Sequence, residues 1–206
     1  MTLGSASGLE AFGDHILKDE EILWYGRPDP SVLFASGDLF LIPFTLMWGG
    51  FALAWEALVL AALLRGDERA ANGGSLWFMA VFGVIFVATG LYLIFGRHIF
   101  KRIWKKRTHY AVTNRRVIAL TRLLAENARA EFIDRIPAMK KAVRPDGKGT
   151  IWFGSTPWWV TMYGNTGLEF LASFWGQSPI AFYDIPSVNE TYQLVNELRH
   201  RQREQR

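Results

Sequence analysis

The chain contains no cysteine, which excludes a disulfide framework, a thiolate nucleophile, a zinc–thiolate site and an iron–sulfur cluster together. Histidine is scarce. The four present, His15, His98, His109 and His200, fall in a polar N-terminal stretch, a basic run, a strand edge and a charged tail, with neither metal-ligand nor triad spacing. No glycine-rich loop follows a strand and opens a helix, so the usual phosphate cradle is missing too. Met1 to Gly13 lacks the charged start, apolar run and small-residue cleavage site of a secretory signal. The expectation is of no catalytic, metal-binding or cofactor-binding residues, and of no cofactor.

Charge is missing from two long stretches of the 206 residues. The first runs from Leu39 to Leu64 with Glu56 as its one ionisable group, and the second, Ser75 to Gly96, has none. At 1.5 Å per residue either can span a hydrocarbon core of about 30 Å. Neither shows the single apolar stripe of a helix on a soluble core. Both are expected to cross a membrane, and the short polar link RGDERAANGG at 65–74 makes them an antiparallel hairpin. That link holds two basic residues, whereas Arg97, Lys101, Arg102, Lys105, Lys106 and Arg107 crowd the exit of the second span. Positive residues stay in the cytoplasm, so the reading is a multi-pass protein of the cell (inner) membrane with both termini cytoplasmic.

Gly49, Gly50 and Ala54 in the first span, with Ala80, Gly83 and Gly90 in the second, supply small faces on which helices approach closely. Self-association of hairpins into a homo-oligomer is one consequence to test. Glu56 is the intramembrane polar candidate, since a carboxylate at mid-bilayer costs about 3 kcal/mol on insertion scales. A transporter or channel-type subunit built from oligomerised hairpins around Glu56 is the alternative function. The plainer reading sets Glu56 toward the outer interface, hydrogen-bonded to a neighbour.

Nine basic residues and no acid lie between Arg97 and Arg122, after a start (1–38) with seven acids against Lys18 and Arg27. In the collar Arg97–Arg107, Ile99, Phe100, Ile103 and Trp104 keep to one side of a helix. Arg97, Lys101, Arg102, Trp104, Lys105, Lys106 and Arg107 are therefore the candidate membrane-surface set, each cation contributing about 1 kcal/mol toward an anionic leaflet. The positive-inside rule accounts for these charges, so nucleic acid is not expected as a partner. The acids Asp19, Glu20 and Glu21 are expected to pair with Lys105, Lys106 or Arg107. Residues 1–20 are read as disordered or loosely helical, and 20–30 as extended because Pro28 and Pro30 oppose a helix.

From residue 108 the pattern turns to short β-branched and aromatic runs between turn residues. Expected strands are Tyr110–Thr113, Arg116–Thr121, Ala130–Ile133, Met139–Val143, Thr150–Phe153, Trp158–Met162 and Ile180–Tyr183, with Asp146–Gly149 a strong turn. Ser187 and Glu190 have the spacing of a capping box. A helix over 187–203 follows, with Val188, Tyr192, Val195 and Leu198 forming its apolar stripe.

EILWYGRP (21–28), YAVTNRRV (110–117), GKGTIWFG (147–154) and FYDIP (182–186), in this order around a hairpin, resemble the bacterial pleckstrin-homology-like membrane proteins with an N-terminal two-helix hairpin. The resemblance implies an α+β membrane protein: a two-helix transmembrane hairpin, then a pleckstrin-homology-like seven-stranded β-barrel or sandwich capped by a C-terminal α-helix. The expected domains are an acidic cytoplasmic segment 1–38, the hairpin 39–96 (spans 39–64 and 75–96), the collar 97–107 and the pleckstrin-homology-like domain 108–206. The implied function is a non-enzymatic adaptor or scaffold that binds a protein partner or the lipid surface at the cytoplasmic face. Inositol-lipid-binding members carry basic residues around a long loop between their first two strands, and here Asn114-Arg115 stand at that place. The insert 154–176 is too apolar for disorder and too long for a hairpin turn. Its Trp158, Trp159, Phe170, Phe174 and Trp175 are the candidate partner or lipid patch, the other reading being that they cap the barrel core.

Overall fold

A computed structural model describes residues 10–35, 37–66, 75–123, 125–155, 157, 163–168 and 180–204. The chain divides into two compact units, one of Met1–Leu33 with Lys101–Arg206 and one of Phe34–Phe100.

In the unit 34–100, helix α1 spans Asp38–Arg65 and α2 spans Ser75–Leu91, continued by a wide π-type turn, Tyr92–Gly96. Helix α3, Arg97–Lys106, begins in this unit. Both α1 and α2–α3 are long and apolar enough to cross a membrane by length and composition. Gly66 ends α1 in the left-handed conformation (φ 62°), its N–H donating to the carbonyls of Ala62 and Leu63, a position where a Cβ would be strained. The buried positions of α1 are Leu41, Thr45, Gly49, Ala52, Glu56 and Val59, and those of α2 are Leu76, Ala80, Gly83 and Gly90. Steps of three and four repeating in sevens are the signature of two helices packed at a shallow left-handed angle. Of the small residues expected at this seam, Gly49, Ala80, Gly83 and Gly90 lie in it. Ala54 and Gly50 are exposed, and Ala52 takes the place in the seam. A Cβ on Gly90 would stand 3.2 Å from Gly49 Cα. Away from the seam Leu39, Leu58, Leu64, Trp77 and Phe78 are each 70% exposed or more.

The other unit holds two antiparallel sheets. The first runs β1 (Ile22–Gly26), β2 (Thr108–Thr113), β3 (Arg116–Arg122), β4 (Glu126–Phe132), each strand beside the next. The second runs β5 (Met139–Val143), β6 (Gly149–Phe153), β7 (Ile180–Ile185), and helix α4 (Val188–Glu204) follows. Among the described residues no pairing joins the sheets into a closed barrel. The expected strand Trp158–Met162 lies outside the described residues, and the other six expected strands are present. The strand missed is β1: its residues 22–26 sit opposite β2 (Ile22 to Thr113, Gly26 to Tyr110). Residues 1–38 are thus not a separate segment. The part up to Leu33 belongs to the sheet unit, and residues 34–100 are inserted in the chain between two adjacent strands.

Phe182 centres the core, stacked on Tyr110 (4.5 Å) and Trp24 (5.7 Å) and edge-on to Phe153 (4.8 Å). Val112, Val117, Ile133, Ile151 and Ile185 fill in around it, and Val188, Val195 and Leu198 of α4 close it as their spacing predicts. Ser187 stands at the N-cap position of α4, its carbonyl accepting the Thr191 N–H. Its φ of 56° is left-handed rather than the extended value of a usual cap, and the side-chain bonds of the expected box with Glu190 are not among those formed by the described residues. The turn at Asp146–Gly149 holds, with Gly147 at φ 79° and its N–H bonded to Arg144 O.

The opposite face of the first sheet is covered as well. Residues 10–20, expected to be disordered or loosely helical, hold one 3-10 turn at Gly13–His15 and lie against the sheet: Phe12 is fully buried on Ala111, Ile118 and Leu120. A bulge between Ile22 and Trp24 turns Ile22 and Tyr25 to this side while Trp24 faces the core. All six positions of β2 are consequently buried.

The tightest test of the helical seam is Gly83, where a Cβ would come within 1.8 Å of Glu56 Oε2. Gly83→Ala is expected to destabilise the packed pair by roughly 1–3 kcal/mol, read as a lower unfolding midpoint in detergent micelles. Combining it with Glu56→Ala is expected to recover most of the loss.

Candidate functional site

The seven-residue basic set divides along helix α3. Arg97, Lys101 and Lys105, four residues apart and so on one helix face, are 1%, 1% and 0% exposed, contrary to the expectation of a solvent-facing collar. Trp104 is half-buried, edge-on to Tyr183 at 6.0 Å. Arg102, Lys106 and Arg107 are exposed, as are Ile99 and Ile103 at 62% and 45%. Buried cations need acceptors, and each has them. Within the helical unit Arg97 pairs with Asp38 and donates through Nε to Leu93 O (2.7 Å), a carbonyl of the turn that precedes it. Within the sheet unit Lys101 Nζ donates to Leu33 O at 2.6 Å.

Lys105 makes the densest polar centre. Its Nζ donates to Asp184 Oδ2 (2.5 Å), Val32 O (2.6 Å) and Asp29 O (3.2 Å). Asp184, at a left-handed φ of 46°, also accepts from Asn165 Nδ2 at 2.5 Å. Its own N–H and C=O bond Thr150 Oγ1 and the Asp29 N–H. The chain leaving β1 and the helix leading into β2 are thereby tied to β7. Lys148 adds a bond to the Asp29 carboxylate at 2.5 Å, which with the Ser31 hydroxyl and N–H outweighs burial and holds Asp29 at about 2.

The expected pairing of Asp19, Glu20 or Glu21 with Lys105, Lys106 or Arg107 is not the one formed. Glu20 meets Arg116, whose Nε and Nη2 reach its two oxygens at 3.0 and 2.5 Å, and Thr113 Oγ1 donates at 2.6 Å. Arg116 faces Glu20 because β3 presents it on the side that residues 10–20 cover, whereas Lys105 is already occupied. Farther along, His15 Nε2 stands 2.5 Å from Glu126, and Arg122 donates to Ala11 O at 3.0 Å. Burial would raise the Glu20 carboxyl, but the bonds from Arg116, the Leu17 N–H and Thr113 prevail and bring it to about 2. His109, bonded through Nδ1 to the Tyr25 hydroxyl at 2.9 Å, is lowered by burial and then by Arg27 and Arg122.

Glu56 lies in the α1–α2 seam, 9% exposed, with Oε2 lacking a hydrogen-bond partner and set against Gly83. The hydrogen bond to a neighbour that the plainer sequence reading expected is not made by this oxygen. Neither Thr45 in the seam nor the exposed Thr89 serves it: Thr45 donates to Ile42 O, and Thr89 to Ile85 O. The aromatic patch Trp158, Trp159, Phe170, Phe174 and Trp175 lies outside the described residues. Of the insert's described residues, Asn165, Thr166 and Leu168 are buried, and Gly154, Ser155 and Ile180 at its two ends line a cavity of about 540 Å³ with Ala128, Ala130 and Pro137.

Comparison with family models, with curated proteins and with solved structures finds no match to this chain.

The Glu20 contact predicts an acid dependence. Its folded value, about 2, lies below the ordinary 4.5, so the stabilisation is complete above that ordinary value and is lost as pH falls through the interval between them. Hydrogen exchange of the backbone at 11–20 is expected to slow less at pH 7 in Glu20→Gln, by on the order of 2 kcal/mol of opening free energy. Wild type and variant are expected to converge as pH approaches 2.

Proposed function

We propose that the chain is a non-enzymatic, membrane-anchored adaptor: α1 and α2 cross the cell membrane as a hairpin, both termini are cytoplasmic, and the sheet unit is a pleckstrin-homology-like domain that binds a protein partner or the lipid surface. Two features support the membrane. The apolar exteriors of α1 and α2 would be untenable in water as patches of that size, and the basic residues gather after α2 and not in the link before it. Two features support the domain: seven strands in two antiparallel sheets, and a closing helix, the strand number and the ending that the motif resemblance implies, with β1 standing before the hairpin rather than after it.

The observation that carries the lipid-surface role is the division of α3. With Arg97, Lys101 and Lys105 committed internally, Arg102 and Lys106 remain exposed beside Ile99 and Ile103, the mixture of cations and aliphatics that suits an interfacial helix face. A second reading, a transporter or channel-type subunit, draws on the unpartnered Glu56 oxygen in the seam. It requires cation flux in proteoliposomes that Glu56→Gln abolishes and Glu56→Leu does not restore.

A spin label at position 103 of the full chain, in vesicles containing phosphatidylglycerol, is expected to contact the lipid phase. Arg102→Glu with Lys106→Glu should move it toward water, since each cation contributes about 1 kcal/mol at an anionic surface. A label that is aqueous in both proteins, or a C-terminal tag found on the outer face, overturns the proposal.

A further inference from the structure

The segment 11–20 is bound to the sheet as one chain binds another. It contributes no strand, and its own backbone bonds are only the turns His15 N–H to Phe12 O and Glu20 N–H to Leu17 O. What fixes it comes from β1, β2 and β3. Phe12 fills an apolar socket of Ala111, Ile118 and Leu120, with Tyr25 and His109 edge-on at 6.2 and 6.4 Å. Arg122 and Arg116 donate to the carbonyls of Ala11 and His15 at 3.0 and 2.9 Å. Arg116 and Thr113 then take the Glu20 carboxylate. The side chains between these anchors, Asp14, Leu17 and Lys18 among them, are turned outward. One aromatic, one carboxylate eight residues on and backbone carbonyls between them, presented by a segment that turns at Gly13–His15 and again before Glu20, are the elements by which a peptide is read.

We propose that this outer face of β1–β2–β3 is a peptide-recognition groove, that residues 11–20 occupy it as an internal ligand, and that the partner is a protein segment presenting an aromatic and, eight residues later, a glutamate. The inference deepens the adaptor reading and rests on it for the partner's biological sense. The segment is held by Ala11, Phe12 and Ile16 and by the Glu20–Arg116 pair, with no strand pairing to the sheet, which places it among the elements that open locally before the fold does. A competing peptide therefore meets a groove whose effective affinity is reduced by the fraction of time the internal ligand is seated.

The test uses the full chain in lipid nanodiscs and, as probe, a fluorescent peptide of its own residues 9–21. Wild type is expected to bind the peptide at least about tenfold more weakly than a chain carrying Phe12→Ser and Glu20→Gln, because those changes free the groove and leave its walls intact. Adding Arg116→Glu should switch preference to a peptide carrying Glu20→Arg. If the double variant loses the amide protection of β2, the single Glu20→Gln chain decides, with an intermediate gain expected. Equal binding by wild type and variants, or equal binding of a peptide with Phe12→Ser, overturns the proposal. Neither result bears on the spin-label outcome at position 103, so the groove and the membrane adaptor fail separately.

Discussion

The pairing of β1 with β2 is the constraint on which the rest of the sheet unit depends. These strands are neighbours in space, yet the whole of residues 34–100 lies between them in the chain. Closing so long a loop costs entropy that grows only slowly with length, so an insertion here is thermodynamically tolerable provided both ends are pinned. Lys105 does the pinning. It brings together the backbone just after β1, at Asp29 and Val32, and the side chain of Asp184 on β7. A buried ammonium with three oxygen acceptors is satisfied. Removing one partner of such a pair would leave the other charge stranded, which is why buried pairs fix geometry even where they add little net stability.

Much of the secondary structure was legible from short-range pattern: the two long apolar helices, the strands with β-branched runs, the Asp-Gly turn and the stripe of α4. What was not legible depends on partners distant in sequence. The strand β1 is short, and its alternation is broken by the bulge that sets Ile22 and Tyr25 on one face, so periodicity showed only an extended segment. Arg97, Lys101 and Lys105 were grouped with their neighbours because counting charge does not say which face of a helix will be buried. Their spacing in steps of four was visible, but nothing local marked Asp38 and Asp184 as their partners.

The covered outer face of the first sheet did leave a signal. A strand with one wet face alternates, whereas one buried on both sides reads as a continuous apolar run. Val117-Ile118-Ala119-Leu120 is such a run, and in the structure Val117 points to the core while Ile118 and Leu120 meet Phe12. Something had to lie on that face. The glycines and charges around Phe12 disguised the segment that does, because polar composition argues for solvent only when no single residue carries the contact.

The two units solve the same difficulty, a polar group in an interior, in opposite ways. Lys105 is surrounded by acceptors. Glu56 has an unpartnered oxygen and a notch, the space that Gly83 leaves by lacking a Cβ. Sliding α2 by one heptad in one direction would bring Leu76, which has no room for a carboxyl, opposite Glu56; sliding it in the other would bring Gly90 there and break its close approach to Gly49, where a Cβ on Gly90 would stand 3.2 Å from Gly49 Cα. In the membrane reading proposed above, apolar surface gives helices little reason to prefer one register, because lipid is as good a neighbour as leucine. A carboxyl seated against Gly83, together with the close approach of Gly90 to Gly49, supplies that reason, so the group least suited to a membrane helix by its chemistry shares in setting how the two helices meet.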